Sequence, residues 1–163
     1  MGVGKLTASA EDYLRAIALL GKEGKVVRAA EIGKMLKVRA PSVTEALTRL
    51  SEAELVKHQK YGGVELTDEG ARIARDVHRR HEVLSRFLAE ILNVHPEIAE
   101  QDACGMEHAL SAASLSRMAK FVEFLSNCPL GTPECLKGFN YYFEHGEREQ
   151  VLLASCRKRG RPK

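Results

Sequence analysis

The sequence predicts a mainly α fold, with a winged helix-turn-helix at the N-terminal end and a second, helical domain behind it. Three observations carry that prediction. Apolar residues recur at three- and four-residue spacing through most of the 163 positions. The first 67 residues read in the order helix, helix, turn, helix, β-hairpin. Three or four further helical segments then follow, more than such a reading head requires.

The first helix is expected over 7–21, where Leu14, Ile17 and Leu20 share a face and Ser9 to Asp12, "SAED", has a capping-box pattern. A Gly-containing turn leads into "AAEIGKMLKV", with Ile32, Met35 and Leu36 directed at a core. In "RAPSVTEALTRLSEAEL", Pro41 suits a first helical turn, and Val43, Leu47 and Leu50 form the buried stripe. "LVKHQKYGGVELT" reads as two short strands about a Gly62-Gly63 turn. A long helix over 67–93 opens at "TDEG", its stripe being Ile73, Val77, Leu84, Leu88 and Ile91. Pro96 starts a helix through about Leu110; "SLSRMAKFVEFLSN" and "LKGFNYYFEH" supply two more, separated by the Pro/Gly turn "CPLGTPEC". The expected domains are therefore 1–72, 73–145 and a basic tail, 146–163.

Composition limits what such a chain does. With 44% hydrophobic and 29% charged residues it is long enough to bury a core. No apolar run approaches the ~18 residues of a membrane span, and "MGVGKLTASAEDY" lacks a secretory signal's apolar centre. Four sparse cysteines do not make a disulfide scaffold, so a cytoplasmic protein with reduced thiols is expected. Charge is uneven: residues 1–90 carry 16 basic and 13 acidic side chains, 91–150 carry 4 and 9, and 151–163 carry 5 and none. The basic ends suit a polyanion and the acidic middle suits a cation.

In a winged helix-turn-helix the second helix of the pair enters the major groove and the hairpin lies along phosphates. Ser42, Thr44 and Glu45 occupy positions able to reach base edges, with Arg39 and Pro41 at the helix start. Arg49, Lys57 and Lys60 suit backbone contacts. An amphipathic helix with a solvated charged face would carry the same residues; the whole succession of elements favours double-stranded DNA. In "QDACGMEHAL", Cys104, Glu107 and His108 fall at i, i+3 and i+4 and stack on one helical face. Thiolate, carboxylate and imidazole are ligands of divalent first-row metals. A buried thiol beside a surface Glu-His pair fits the spacing equally well. Asp12, His81 and Glu100 offer further donors, although each has an ordinary structural use.

With "EDYLRAI", "PSVTEAL", "GVELT", "RRHEVLSRFL" and "CGMEHALS" together, the chain resembles the diphtheria-toxin-repressor and manganese-transport-regulator family from about residue 6 to 140. The resemblance implies a helical metal-binding and dimerisation domain behind the winged helix. It implies a primary metal site of Asp12, Cys104, Glu107 and His108, and a candidate second site of His81 and Glu100. Iron-type members have Met at the place of Asp12, and manganese-type members have Glu at the place of Cys104, so the set is a hybrid. Ser85 and Arg15 stand where members have further Glu ligands. The form expected is the two-domain one, without the SH3-like third domain. A soft thiolate favours Fe²⁺, Co²⁺, Ni²⁺ or Zn²⁺ over Mn²⁺, and two carboxylates and an imidazole keep the site hard enough for Fe²⁺. Affinity order alone would choose copper or zinc, so cellular availability decides, and Fe²⁺ is expected, with Mn²⁺ second. A metal-dependent, non-enzymatic repressor acting as a homodimer on a near-palindromic operator follows. The alternatives are a Mn²⁺-responsive member, a winged-helix sensor of redox state or an organic ligand, and a metal-dependent enzyme. An enzyme would use Glu107 or His108 as base, yet the chain has neither a glycine-rich phosphate loop nor a nucleophile elbow.

Two features lie outside the resemblance. "RGRP", with Arg159 and Arg161, has the pattern of an AT-hook, whose arginines follow a narrow A·T minor groove. A basic tether giving only phosphate attraction has the same composition, and the two readings stand side by side. Cys128 and Cys135 bracket a turn at a spacing unlike a zinc knuckle.

Overall fold

The computed structural model describes residues 6–58, 63–127 and 134–147. The chain forms two compact units, residues 1–80 and 81–163. In the first, α1 (Ala8–Leu20), α2 (Ala29–Leu36) and α3 (Ala40–Glu52) precede an antiparallel pair, β1 (Val56–His58) and β2 (Val64–Leu66). The register sets Val56 against Leu66, Lys57 against Glu65 and His58 against Val64. Val27 adds an isolated bridge to the wing, its carbonyl accepting from the Val64 N–H at 2.8 Å. The Gly62-Gly63 turn lies outside the described residues except for Gly63 itself.

The core of this unit comes from one stripe on each helix: Leu14 and Ile17 on α1, Ile32 on α2, and Val43, Leu47 and Leu50 on α3. Leu55 and Val64 close it from the wing side. Each fully buried aliphatic side chain contributes roughly 1.5–3 kcal/mol relative to exposure, so this shared contact holds three short helices that are individually marginal. Met35, expected in the core, is 43% exposed. Ile32 and the partly buried Leu36 suffice to seat the eight-residue α2, and Met35 projects from its other side.

Local signals set the helix ends. Thr7, in extended conformation, caps α1 by accepting from the Ala10 N–H at 3.2 Å, so the cap lies two residues before the expected Ser9. Glu31 accepts from the Arg28 N–H at 3.0 Å at the start of α2, and that bond holds its carboxyl below the usual carboxylate range. Pro41 stands in the first turn of α3, where its missing N–H costs nothing.

α4 (Asp68–Arg86) begins where Thr67 caps the Gly70 N–H at 3.1 Å and donates its hydroxyl proton to the Glu54 carbonyl at 2.9 Å. Gly70 has no substitute here: a Cβ would stand 2.0 Å from the Leu55 carbonyl oxygen. The helix continues into a π turn, Phe87–Ile91, and stops at Asn93, whose left-handed φ of 56° turns the chain away. α5 (Pro96–Met106), α6 (Ala112–Ser126) and α7 (Glu134–His145) complete the second unit. Leu84, Leu88, Ala99, Ala103 and Leu115 form one apolar cluster, and Ile91, Val122 and Leu125 another. Among the described residues, no helix is long and apolar enough to cross a membrane.

Candidate metal centre and DNA-facing helix

α5 ends at Met106, four residues before the expected Leu110. Glu107 is its C-cap, still helical in φ and ψ and bonded from its N–H to the Ala103 carbonyl at 3.0 Å. The Ala109 N–H then bonds to the Met106 carbonyl at 3.0 Å, tightening the chain into a turn. Ser111 caps the following helix by accepting from the Ser114 N–H. Cys104 therefore sits on a helix, whereas His108 sits in the turn beyond it. A straight helical stack of all three does not describe them.

That turn puts a carboxylate inside the protein. Glu107 is 0% exposed. An ionised carboxylate removed from water requires a partner charge or a metal. His81, itself buried, stands between two acids: Nδ1 is 2.9 Å from Glu107 Oε2, and Nε2 is 2.6 Å from Glu100 Oε1. The Ser85 hydroxyl donates to the other Glu100 oxygen at 3.2 Å. His108 Nε2 lies 3.4 Å from Glu107 Oε1. Cys104 is half-buried on α5. Asp12 and Arg15 are half-buried on α1 of the first unit. The donor set suits a divalent cation. Two carboxylates converge on one imidazole, so both ring nitrogens face acceptors, and positive charge is what the cluster demands.

Sequence assigned His81 and Glu107 to different sites; the structure joins them directly. Periodicity could not show this, since 26 positions separate the two. Cys128 and the side chain of Cys135 lie outside what is described.

The outer face of α3 carries Arg39 at its N-cap, then Pro41, Ser42, Thr44, Glu45 and Arg49, all exposed. Thr44 donates its hydroxyl proton to the Ala40 carbonyl at 3.1 Å, and Thr48 to the Thr44 carbonyl at 2.9 Å. An Arg49 guanidinium nitrogen lies 2.6 Å from Glu45 Oε1. Burial, reinforced by the nearby Glu45 carboxylate, pushes the Tyr13 hydroxyl above the usual phenol range. Lys57 is exposed on β1, while Lys60, Arg159 and Arg161 lie outside the described residues. Sequence reading passed over Thr48, which shares this face. It also passed over Lys34 and Lys37, which line a depression of about 350 Å³ beside Ala40 and Thr44. Spacing from Thr44 could have found the first, and charge at the turn between the helices the other two.

Two family models meet on this chain. Residues 5–64 match the N-terminal DNA binding domain of the iron dependent repressors, and residues 67–136 match their metal binding and dimerisation domain. The chain belongs to this family. It is a metal-dependent transcriptional regulator of the diphtheria-toxin-repressor and manganese-regulator type. It is 36% identical over 118 residues to the HTH-type transcriptional regulator MntR of Bacillus subtilis (strain 168), a match covering 72% of this chain and 82% of that protein. Among solved structures it is similar to the manganese regulator SloR, with 30% identity and a TM-score of 0.66 over 76% of this chain and 58% of that one. It is also similar to IdeR of T. acidophilum, with 26% identity and a TM-score of 0.63 over 80% and 60% of the two chains. The chain thus spans under two thirds of the length of those two structures.

Proposed function

We propose that the chain is an Fe²⁺-responsive repressor of metal-homeostasis genes, acting in the cytoplasm as a homodimer on a near-palindromic operator. The observation that carries this reading is the buried Glu107, bonded to His81 in the unit that matches the family's metal-binding domain. Asp12, Cys104, Glu107 and His108 are the proposed primary ligands, with His81 and Glu100 forming a second set. A bound divalent cation would supply the positive charge that a thiol and several acids require together.

The protein's own groups do the rest. Without that charge, the clustered carboxylates and thiol repel one another, and α1 is less restrained. With it, ligands on α1 and on the α5 turn are held together, and the population moves towards one spacing of the recognition helices. Residues 1–72 are the proposed DNA-reading part, 73–145 the sensing and dimerising part, and 146–163 a basic tail. Ser42, Thr44 and Glu45 face bases, Arg49 stands beside Glu45 on the same face, and Arg39, Lys57 and Lys60 face phosphates, with Lys34 and Lys37 added from the structure. The exposed Phe121 and Phe124 of α6 are proposed for the dimer face.

Cys104 is the reason for placing iron before manganese, since a soft thiolate disfavours Mn²⁺. A Mn²⁺-responsive reading stands second because SloR is a manganese regulator and a further similar structure is a manganese-dependent transcriptional repressor. Selection of duplexes from a random pool, with Fe²⁺ or with chelator under anaerobic conditions, tests the reading. An operator recovered only with metal supports it; equal recovery with chelator overturns it.

A further inference from the structure

We propose that Glu45 and Arg49 act as one unit that reads a C·G base pair, Glu45 taking the cytosine and Arg49 the guanine. The proposal rests on the reading of α3 as the helix that enters the major groove. A carboxylate on a surface meant to face a polyanion weakens binding unless something on the DNA compensates it. Glu45 is such a group: its side chain is 65% exposed and stands on the outer face of α3.

The neighbours narrow what Glu45 can do. Thr44 and Thr48 have both committed their hydroxyl protons to helix carbonyls. They retain methyl groups and acceptor lone pairs, which leaves Glu45 and Arg49 as the charged readers at the centre of this face. Arg49 lies one helical turn after Glu45 and is held to it at 2.6 Å. That contact fixes the side chain's direction and leaves most of the guanidinium's five donors unused.

Base chemistry supplies the choice. A carboxylate only accepts, so it needs a donor in the groove: cytosine N4 or adenine N6. Adenine places the acceptor N7 beside its amino group, where a second carboxylate oxygen is repelled, while thymine and guanine offer acceptors alone. Cytosine is the base that satisfies Glu45 without conflict. The guanine paired with it presents O6 and N7, which match the arginine fork. A glutamine at position 45 would both donate and accept, and would suit adenine N6 and N7 instead.

The test uses the full-length, metal-loaded protein and duplexes selected from a random pool. Wild type is expected to select C·G at one position of each half-site. Glu45→Gln should admit A beside C at that position, Glu45→Ala should keep only the weaker preference that Arg49 holds for the paired guanine, and Glu45→Ala/Arg49→Ala should lose the preference while the flanking positions stay unchanged. On fixed duplexes, exchanging that C·G for T·A should weaken wild type about tenfold or more, weaken Glu45→Ala less, and leave Glu45→Ala/Arg49→Ala nearly unaffected. Circular dichroism guards against misfolding, and the alanine variant keeps the test open should the glutamine one fail. If Glu45→Ala/Arg49→Ala still selects C at that position as wild type does, the pair merely stabilises α3 and the proposal is overturned. If wild type selects no sequence, the groove reading of α3 falls and takes the proposal with it.

Discussion

At the scale of single residues, the acid-imidazole cluster is where sequence and structure differ most usefully. Cys104, Glu107 and His108 stood out because a thiol, an acid and an imidazole on one face is an odd use of a helix. What spacing could not show is that the helix stops at Met106 and turns Glu107 fully inside. Removing its carboxylate should therefore do more than delete a ligand. Glu107→Ala is expected to abolish metal-activated DNA binding, measured by fluorescence anisotropy. Glu107→Gln should retain the fold and lose the same response, because it keeps the shape but not the charge. Cys104→Glu should raise the Mn²⁺ response relative to Fe²⁺ or Co²⁺, since a hard oxygen replaces soft sulfur. An unchanged metal ranking would remove Cys104 from the ligand set. Gly70 permits a prediction about stability alone. With a Cβ placed 2.0 Å from a carbonyl oxygen, Gly70→Ala forces backbone to move and should cost about 1–3 kcal/mol, seen as a lower Tm.

At the scale of elements, the sequence was legible wherever one face is buried. The α3 stripe of Val43, Leu47 and Leu50 and the antiparallel wing stand as their patterns require. Ends were less legible, because a cap depends on one hydrogen bond. Thr7 and Ser9 are both good caps, and only Thr7 is extended where the chain enters α1. The Val27 bridge was invisible, since one residue has no periodicity. Leu47 is 0% exposed where three helices meet, so Leu47→Ala should cost about 2–5 kcal/mol and lower the denaturation midpoint. The basic tail is tested as an element too. If "RGRP" follows a minor groove, deleting residues 157–163 should weaken binding more on operators flanked by A·T than by G·C. If it is a tether, the loss should be uniform and the salt slope should fall by ~0.9 per lost phosphate contact.

At the scale of the whole molecule, the division into a reading unit and a sensing unit was legible from the order of elements and from the acidic middle segment. The helical surplus after residue 67 carries the family's metal binding and dimerisation domain. The choice between iron and manganese was not legible from either unit alone, because Asp12 and Cys104 match different branches of the family. The central claim is that a metal held by Glu107 and His108 controls affinity for DNA. Its most direct test is operator binding by the purified protein, titrated anaerobically with Fe²⁺, Mn²⁺, Zn²⁺ and Co²⁺, beside His108→Ala. Metal should raise wild-type affinity by roughly 5–150-fold, with Fe²⁺ or Co²⁺ ahead of Mn²⁺, and leave the variant unchanged. Equal affinity of wild type with metal and with chelator would contradict it.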